Sequence, residues 1–331
     1  MKREHAMRHQ INCILWALVP GFIALSAHGQ SGYPEHNLRL VVPQTAGGPS
    51  DVLGRTMAQK LTEALGKPVI VENKPGAGGN IGTDVVAKSR PDGYNLLVNI
   101  SGILAINQAL YKSMPFDAGK DLEGVSKIAS SHIVLVAHPS FAPSTIQELV
   151  SAARSRPANT ISYGSAGTGS PQHIGGELLN SKAGIKLNHI PYKGAIPALT
   201  DLLGGQIPLA IVGLPAALPH IKAGKLKAIA VFGSKRSALA PEVATFVESG
   251  YPDIEMELVY GIFVSKGTPK PIVARLNQEV GNILKSPDVK DKLLSAGFEI
   301  VSSTPAELDN YLKGDIEKWP PIVRASGATA D

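Results

Sequence analysis

The stretch YGSAGTGSPQHIGGELL, from Tyr163 to Leu179, carries the end of a strand through a glycine-rich elbow into an amphipathic helix. Ser170 suits the helix N-cap and Pro171 the first helical position. The chain builds the same unit earlier, in LVVPQTAGGPSDVLGRTMAQKL from Leu40 to Leu61, where Ser50 or Asp51 is the expected cap. In an open parallel sheet the ligand sits beyond the carboxyl ends of the strands, where loops of this kind lead into helices. Glycines let the backbone approach a ligand closely, and unpaired N–H groups at a helix N-terminus favour negative charge. Two such elbows across a cleft define a site for an anion charged at both ends, such as a dicarboxylate or tricarboxylate. Phosphate is the nearest rival, but no Gly-Lys-Ser/Thr follows either glycine run, which removes the phosphate-loop reading. GAGGNI (76–81) fails as a dinucleotide fingerprint, because Ile81 stands where the third glycine belongs.

On either side of the elbows, short apolar strands alternate with helices in units of about 20–30 residues. LRLVV (38–42), PVIVE (68–72), YNLLV (94–98), TISYG (160–164), KLNHIPY (186–192), IPLAIVG (207–213) and LKAIAVF (226–232) read as strands, with a longer one at HIVLVAHP (132–139). Nearly all-apolar strands between helices predict parallel sheets covered on both faces. The pattern runs twice and then returns, which predicts an α/β protein of two lobes, each a mostly parallel sheet flanked by helices. Lobe I is expected at 30–130 plus 251–331 and lobe II at 131–250.

Residues 1–29 read as a secretory signal peptide, with Lys2, Arg3 and Arg8, the apolar run ILWALVPGFIAL and a small-residue end before Gln30. That implies a periplasmic protein. The single cysteine, Cys13, lies inside this segment, so the mature chain is expected to hold no disulfide, thiolate metal site or cysteine nucleophile. The formal charge of +5 loses Lys2, Arg3, Arg8 and Glu4 with the leader, leaving about +3. The cations are scattered singly without aromatic interleaving, which argues against nucleic-acid binding.

Catalytic constellations are thin. Around Ser165 the pattern is Tyr163-Gly164-Ser165-Ala166-Gly167 and not the nucleophile elbow Gly-x-Ser-x-Gly. His173 has two readings, a donor to a bound anion or a side chain packed on the preceding strand. Asp51 is either a general base or a cap. His132, His138, His189 and His220 lack metal-ligand spacing, so no metal and no cofactor is expected. Lys193, in the PYKG loop, is a cation near the cleft or a solvated loop lysine. An enzyme would need His173 beside Ser165 or Ser170.

YPEHNLRLVVPQTAGGPSD, LTEALGKPVIVENKPGAGGNIGTDVVAKSRPDGYNLLV, SGILAINQALY, YGSAGTGSPQHIGGELL, HIPYKGAIPALTDLLGGQI, LPHIKAGKLKAIAV and GTPKPIVARLN follow in order along the mature sequence. With these blocks the chain resembles the Bug-type periplasmic solute-binding proteins of tripartite tricarboxylate transporters. The resemblance implies a type II periplasmic-binding-protein fold without catalysis, closing two lobes around a small carboxylate or aromatic acid. It implies membrane permease subunits as partners, a monomer, and either transport or presentation of the ligand to a sensor. Carried over residue by residue, it places Thr45, Ala46, Gly47, Gly48, Ser50 and Asp51 of the first elbow at the ligand. Ser165, Ala166, Gly167, Thr168 and His173 follow from the second, with Ser101 at the end of the third strand.

Two departures stand out. Gln44-Thr45 replaces the aromatic and its neighbour of the family's usual PF-x-AGG, and Val212-Gly213 stands where many members carry an acidic or amide pair. Without that acid the expected ligand is a plain carboxylic acid and not an amino acid, with Gln44 enlarging the polar side of the pocket.

Overall fold

The computed structural model describes residues 32–326, 328 and 330, and the expected leader at 1–29 lies outside them. β1 (Leu38–Val42) leads to α1 (Pro49–Leu65), and β2 (Val69–Asn73) leads through a 3-10 turn at Ala77–Gly79 to α2 (Asn80–Ala87). β3 (Asn95–Ile100) leads to α3 (Ser101–Leu110), and α4 (Ala118–Asp121) precedes the long β4 (Leu122–Ala137). Then come α5 (Ile146–Arg154), β5 (Ser162–Ser165), α6 (Pro171–Ala183), β6 (Asn188–Pro191) and α7 (Ala195–Leu203). β7 (Leu209–Gly213), α8 (Leu214–Lys222) and β8 (Lys227–Val231) follow. β9 (Glu257–Ser265) returns, and α9 (Lys270–Lys285), α10 (Pro287–Ser295) and α11 (Pro305–Ser326) end the chain.

The strands are ordered β2-β1-β3-β9-β4-β7-β5-β6, with β8 also on β4. β1 is parallel to β2 and β3, and β5 is parallel to β6 and β7. Every antiparallel pairing among the described residues involves β4 or β9. The parallel strands are apolar and shielded on both faces: Leu40, Val41, Val42, Leu97, Ala210 and Val212 are all fully buried. Among the described residues, each half has a hydrophobic cluster of its own. One gathers Val41, Leu97, Leu104, Phe116, Phe263 and Leu308; the other gathers Val134, Val136, Leu202, Val212, Leu218 and Val231.

β4 is longer than its sequence suggests. The apolar run from His132 predicted a strand at 132–139, but pairing begins at Leu122. Its first part pairs with β9 as far as His132 opposite Glu257, and from Ile133 onward it pairs with β7 and β8. The register against β9 slips between Gly124 and Ser126 and again between Lys127 and Ala129. Each slip breaks the two-residue alternation, so Ser126, Ser130 and Ser131 are buried where strict alternation would mark a loop.

The second elbow is capped as expected, with Ser170 Oγ accepting from the His173 N–H at 3.2 Å and Pro171 at the first helical position. The first is not. Its N-cap is Gly48, with no side-chain cap, and Pro49 opens α1. Ser50 and Asp51 therefore lie inside the first turn. The fixed φ of Pro49 sets the helix start earlier than either expected cap, and the Asp51 carboxylate reaches back to accept from the Gly47 N–H at 2.9 Å.

Candidate functional site

The two elbows lie between β1 and α1 and between β5 and α6. In the first, Asp51 is nearly buried and fully committed. Its Oδ2 accepts from Gly47 N–H and Arg55 Nε, both at 2.9 Å, and its Oδ1 accepts from Asn73 Nδ2 at 2.9 Å. Burial raises the Asp51 pKa, but the hydrogen bonds from Arg55, Gly47 and Asn73 outweigh it, and the carboxyl stays below its usual value. Asn73 Nδ2 also reaches the Gln44 carbonyl at 3.2 Å. Neither a cap nor a free base, Asp51 sets the shape of the loop. Thr45, Ala46 and Gly47 form its accessible edge, and Gly48 and Ser50 lie beneath them.

The second elbow rests on a polar cluster. Ser165 Oγ accepts from Gly167 N–H at 3.1 Å and lies 2.7 Å from His189 Nε2. Ser170 Oγ donates to Gly167 O at 2.7 Å. Gly167 has φ 121°, and a β-carbon there would sit 2.9 Å from the Tyr192 carbonyl oxygen, so glycine is required. Ala166, Gly167 and Thr168 are half-buried, whereas Ser165 is fully buried.

His173 takes the packed reading of its two. Its Nδ1 accepts from Gly169 N–H at 3.2 Å, which puts the ring proton on Nε2, 4.0 Å from Glu177 Oε1. Its ring stacks on His189 with centroids 3.9 Å apart. Burial lowers the His173 pKa to about 4. Burial, and then the neighbouring His173, lowers that of His189 to about 3. Both rings are neutral at pH 7.

The folded-state values lie below the ordinary 6.5, so the unfolded chain takes up protons first as pH falls. The histidine contribution to stability is intact above about pH 6.5 and is lost progressively toward about pH 4. A tenfold difference in proton affinity between the folded and unfolded chain is worth about 1.4 kcal/mol. In melting curves each histidine contributes a loss on the order of 3 kcal/mol across that window, and His173→Gln should remove about half of the combined pH dependence, because burial of His189 remains. Equal pH slopes in the two proteins would refute the buried neutral pair.

Ser101 is fully buried at the start of α3, and its hydroxyl has no hydrogen-bond partner among the described residues. On α11, Trp319 Nε1 donates to Asp315 Oδ1 at 3.1 Å, and burial raises the Asp315 carboxyl. Lys193 is exposed, and Val212 and Gly213 are buried in β7. The enzyme arrangement is not formed either: His173 holds the Gly169 amide, and His189 is the histidine at Ser165. With Ser165 fully buried, no substrate reaches that hydroxyl.

Sequence reading named Gln44 but missed the polar residues behind it. Gln44 Nε2 donates to Asn99 Oδ1 at 3.0 Å, and Asn99 Nδ2 donates to Thr83 Oγ1 at 3.1 Å. Asn107 Nδ2 donates to Gly78 O at 3.1 Å and to Asn80 Oδ1 at 2.7 Å. The available signal was Asn99, which interrupts the apolar run from Leu96 to Ile100 in β3.

Loops of the two halves meet across the cleft. A β-carbon on Gly194, in the loop between β6 and α7, would lie 2.6 Å from Thr45 Oγ1 of the first elbow, and one on Gly169 of the second would lie 2.3 Å from Leu110 Cδ2 at the end of α3. A cavity of about 680 Å³ between α5 and α6, lined by Arg154, Glu177 and Lys186, includes none of the elbow residues. Among the described residues no group of three His, Cys, Asp or Glu side chains is placed to hold a metal, and no helix is long and apolar enough to cross a membrane.

Two α/β halves sharing crossing strands, with the loop into α1 meeting the loop into α7 across a cleft, define a two-lobe binding protein of the periplasmic type. The chain belongs to the tripartite tricarboxylate transporter family receptor family, whose profile matches residues 53–328. It is similar to the solved periplasmic binding protein BugD, with 34% identity, a TM-score of 0.84, and 90% of this chain and 100% of that one covered. It is 33% identical to Rpa4515 of R. palustris, solved with adipate, with a TM-score of 0.85 and 90% and 99% of the chains covered. MatC (Rpa3494) of Rhodopseudomonas palustris, solved with bound malate, is 31% identical, with a TM-score of 0.83 and 88% and 100% covered.

Proposed function

We propose that the chain is an extracytoplasmic solute-binding protein that captures a small carboxylate between its lobes and delivers it to a tripartite tricarboxylate transporter permease. The carrying observation is the approach of two helix N-termini, those of α1 and α7, where Thr45 meets the Gly194 N-cap, with Gly169 of the second elbow against Leu110. Their partial positive charges suit an anion with carboxylates at both ends. Adipate and malate in two relatives are of that chemistry. Thr45, Ala46, Gly47, Gly48 and Ser50 would hold one end of the ligand, and Ala166, Gly167 and Thr168 the other. Asp51, Ser165 and His173 brace these loops.

The division into lobe I (30–130 plus 251–331) and lobe II (131–250) is part of this reading, supported by the change of β4 partners after His132. So are removal of residues 1–29 on export to the periplasm and action as a monomer. The test is a thermal-shift screen of residues 30–331, unfolded and refolded to strip retained ligand. The panel holds mono-, di- and tricarboxylates, aromatic acids, acidic amino acids and phosphate. Ligand at about 100 times its dissociation constant adds roughly 2.7 kcal/mol, a shift of several degrees. A response confined to one carboxylate class is expected; a response to phosphate alone overturns the proposal.

A further inference from the structure

Polar atoms that are buried without a partner mark places where a ligand completes the hydrogen bonding. On the elbow after β1 and on α3 they include Gln44 Oε1, Ser101 Oγ and Asn107 Oδ1. The Ser101 hydroxyl can donate or accept and so discriminates nothing, but the amides of Gln44 and Asn107 have a fixed sense. In an amide side chain the oxygen and nitrogen are told apart by their neighbours, and here the neighbours decide. Asn99 Oδ1 accepts from the Ile100 backbone N–H at 2.8 Å, so it is an acceptor, and the Gln44 atom 3.0 Å from it must be the NH₂ group. Gln44 Oε1 therefore points the other way as an acceptor. Asn107 Nδ2 is fixed in the same manner by the Gly78 carbonyl, which can only accept. That leaves Asn107 Oδ1 on the side of the second elbow, 3.2 Å from where a β-carbon on Gly169 would stand. Gln108 and Gln172 also carry an unpaired buried amide atom, but no neighbour fixes the identity of that atom in either.

Both oriented atoms are acceptors, and a fully ionised dicarboxylate carries no donor to meet them. From this we infer that the ligand carries a hydroxyl group in addition to its carboxylates, and that Gln44 is the residue that reads it. The inference rests on the carboxylate-binding function proposed above.

An ammonium group would also donate, but it needs a counter-charge inside a closed cleft. Asp51, the carboxylate of the first elbow, already holds Arg55, Asn73 and Gly47. Glu177, beneath the second, accepts from Tyr163 Oη at 2.9 Å. Val212 and Gly213 supply no acid. Neutral amide oxygens suit a neutral donor, which selects the hydroxy acid over both the plain acid and the amino acid. The sequence-based preference for a plain carboxylic acid over an amino acid is thereby narrowed.

The experiment is isothermal titration of the ligand-stripped mature chain with matched sets: succinate, malate and aspartate; glutarate, 2-hydroxyglutarate and glutamate; tricarballylate and citrate. Leaving a buried acceptor unpaired weakens binding by roughly 10-fold or more. In the set of the right length the hydroxy acid should bind at least about 10-fold tighter than its deoxy partner and tighter than the amino acid. In Gln44→Met, which keeps the bulk of the side chain, that ratio should fall to within about 3-fold. The melting temperature of the variant verifies that it is folded. Equal affinity for the hydroxy and deoxy partners overturns this inference and leaves the carboxylate function standing. A ratio that survives in Gln44→Met overturns the role of Gln44. Absence of binding to every carboxylate tested overturns the proposed function itself.

Discussion

Replacing Gly169 by alanine is expected to weaken ligand binding by about 10- to 100-fold while each half stays folded. The added methyl would stand 2.3 Å from Leu110 Cδ2, which belongs to α3 on the far side of the cleft. Overpacking of this kind costs about 1–3 kcal/mol. Because Leu110 and Gly169 meet only when the elbows meet, that cost falls on the closed state. A protein whose binding-competent state is depopulated shows its apparent dissociation constant raised by the same factor. The φ of 81° at Gly169 adds strain for alanine, but that strain is present whether the cleft is open or closed and does not bear on affinity. Leu110→Ala in the same chain removes the obstructing methyl groups and should recover most of the lost affinity. Titration of the single and double variants measures both effects. If Gly169→Ala binds as the wild type does, or if the second change gives no recovery, the contact does not govern closure.

The largest expected loss of stability belongs to Gly176, on α6. A β-carbon there would lie 2.3 Å from both Cζ and Oη of Tyr163, a ring with no exposure to solvent. The ring cannot retreat easily, because its hydroxyl is held by Glu177 and its centroid lies 5.1 Å from that of the His189 ring. Gly176→Ala should therefore cost about 3 kcal/mol, lowering the melting temperature by about 6–10 °C. Binding should weaken in parallel, since Tyr163 and His189 belong to the cluster beneath the second elbow. The adjacent Gly175→Ala meets Phe232 Cε1 at 2.9 Å and the more adaptable Met256 Sδ at 3.3 Å, and should cost nearer about 1 kcal/mol. Calorimetric melting of the two variants side by side decides the matter, and a Gly176→Ala curve lying on the wild-type curve would show that the helix is not seated so tightly.

What the sequence made legible, and what it hid, follows a physical line. Strand-to-helix units were readable because burial on both faces forces apolar runs such as Leu38–Val42 and Leu209–Gly213, and because Ser170-Pro171 has a local meaning. The start of β4 was hidden because its two register slips erase the alternation that marks a strand. The elbows were visible as glycine runs, since positive φ at Gly47, Gly167 and Gly169 is a local demand. Their supports were not. His189 is 24 residues from Ser165, and Asn73 is 22 residues from Asp51, and only the parallel pairing of β5 with β6 and β1 with β2 brings them together. Residue type announces a backbone constraint, but it does not announce which distant side chain will meet it.

The continuity of β4 has a consequence for how the molecule comes apart. Its 16 residues edge one sheet as far as His132 and belong to the other from Ile133 on, so neither half owns the strand. Melting of one core withdraws hydrogen-bonding partners from a strand that the other still needs. The two cores thus share their fate in a single cooperative transition, and no single cut in the chain yields an autonomous module. A protein that must open and close its cleft is in this way kept from opening further into separate pieces.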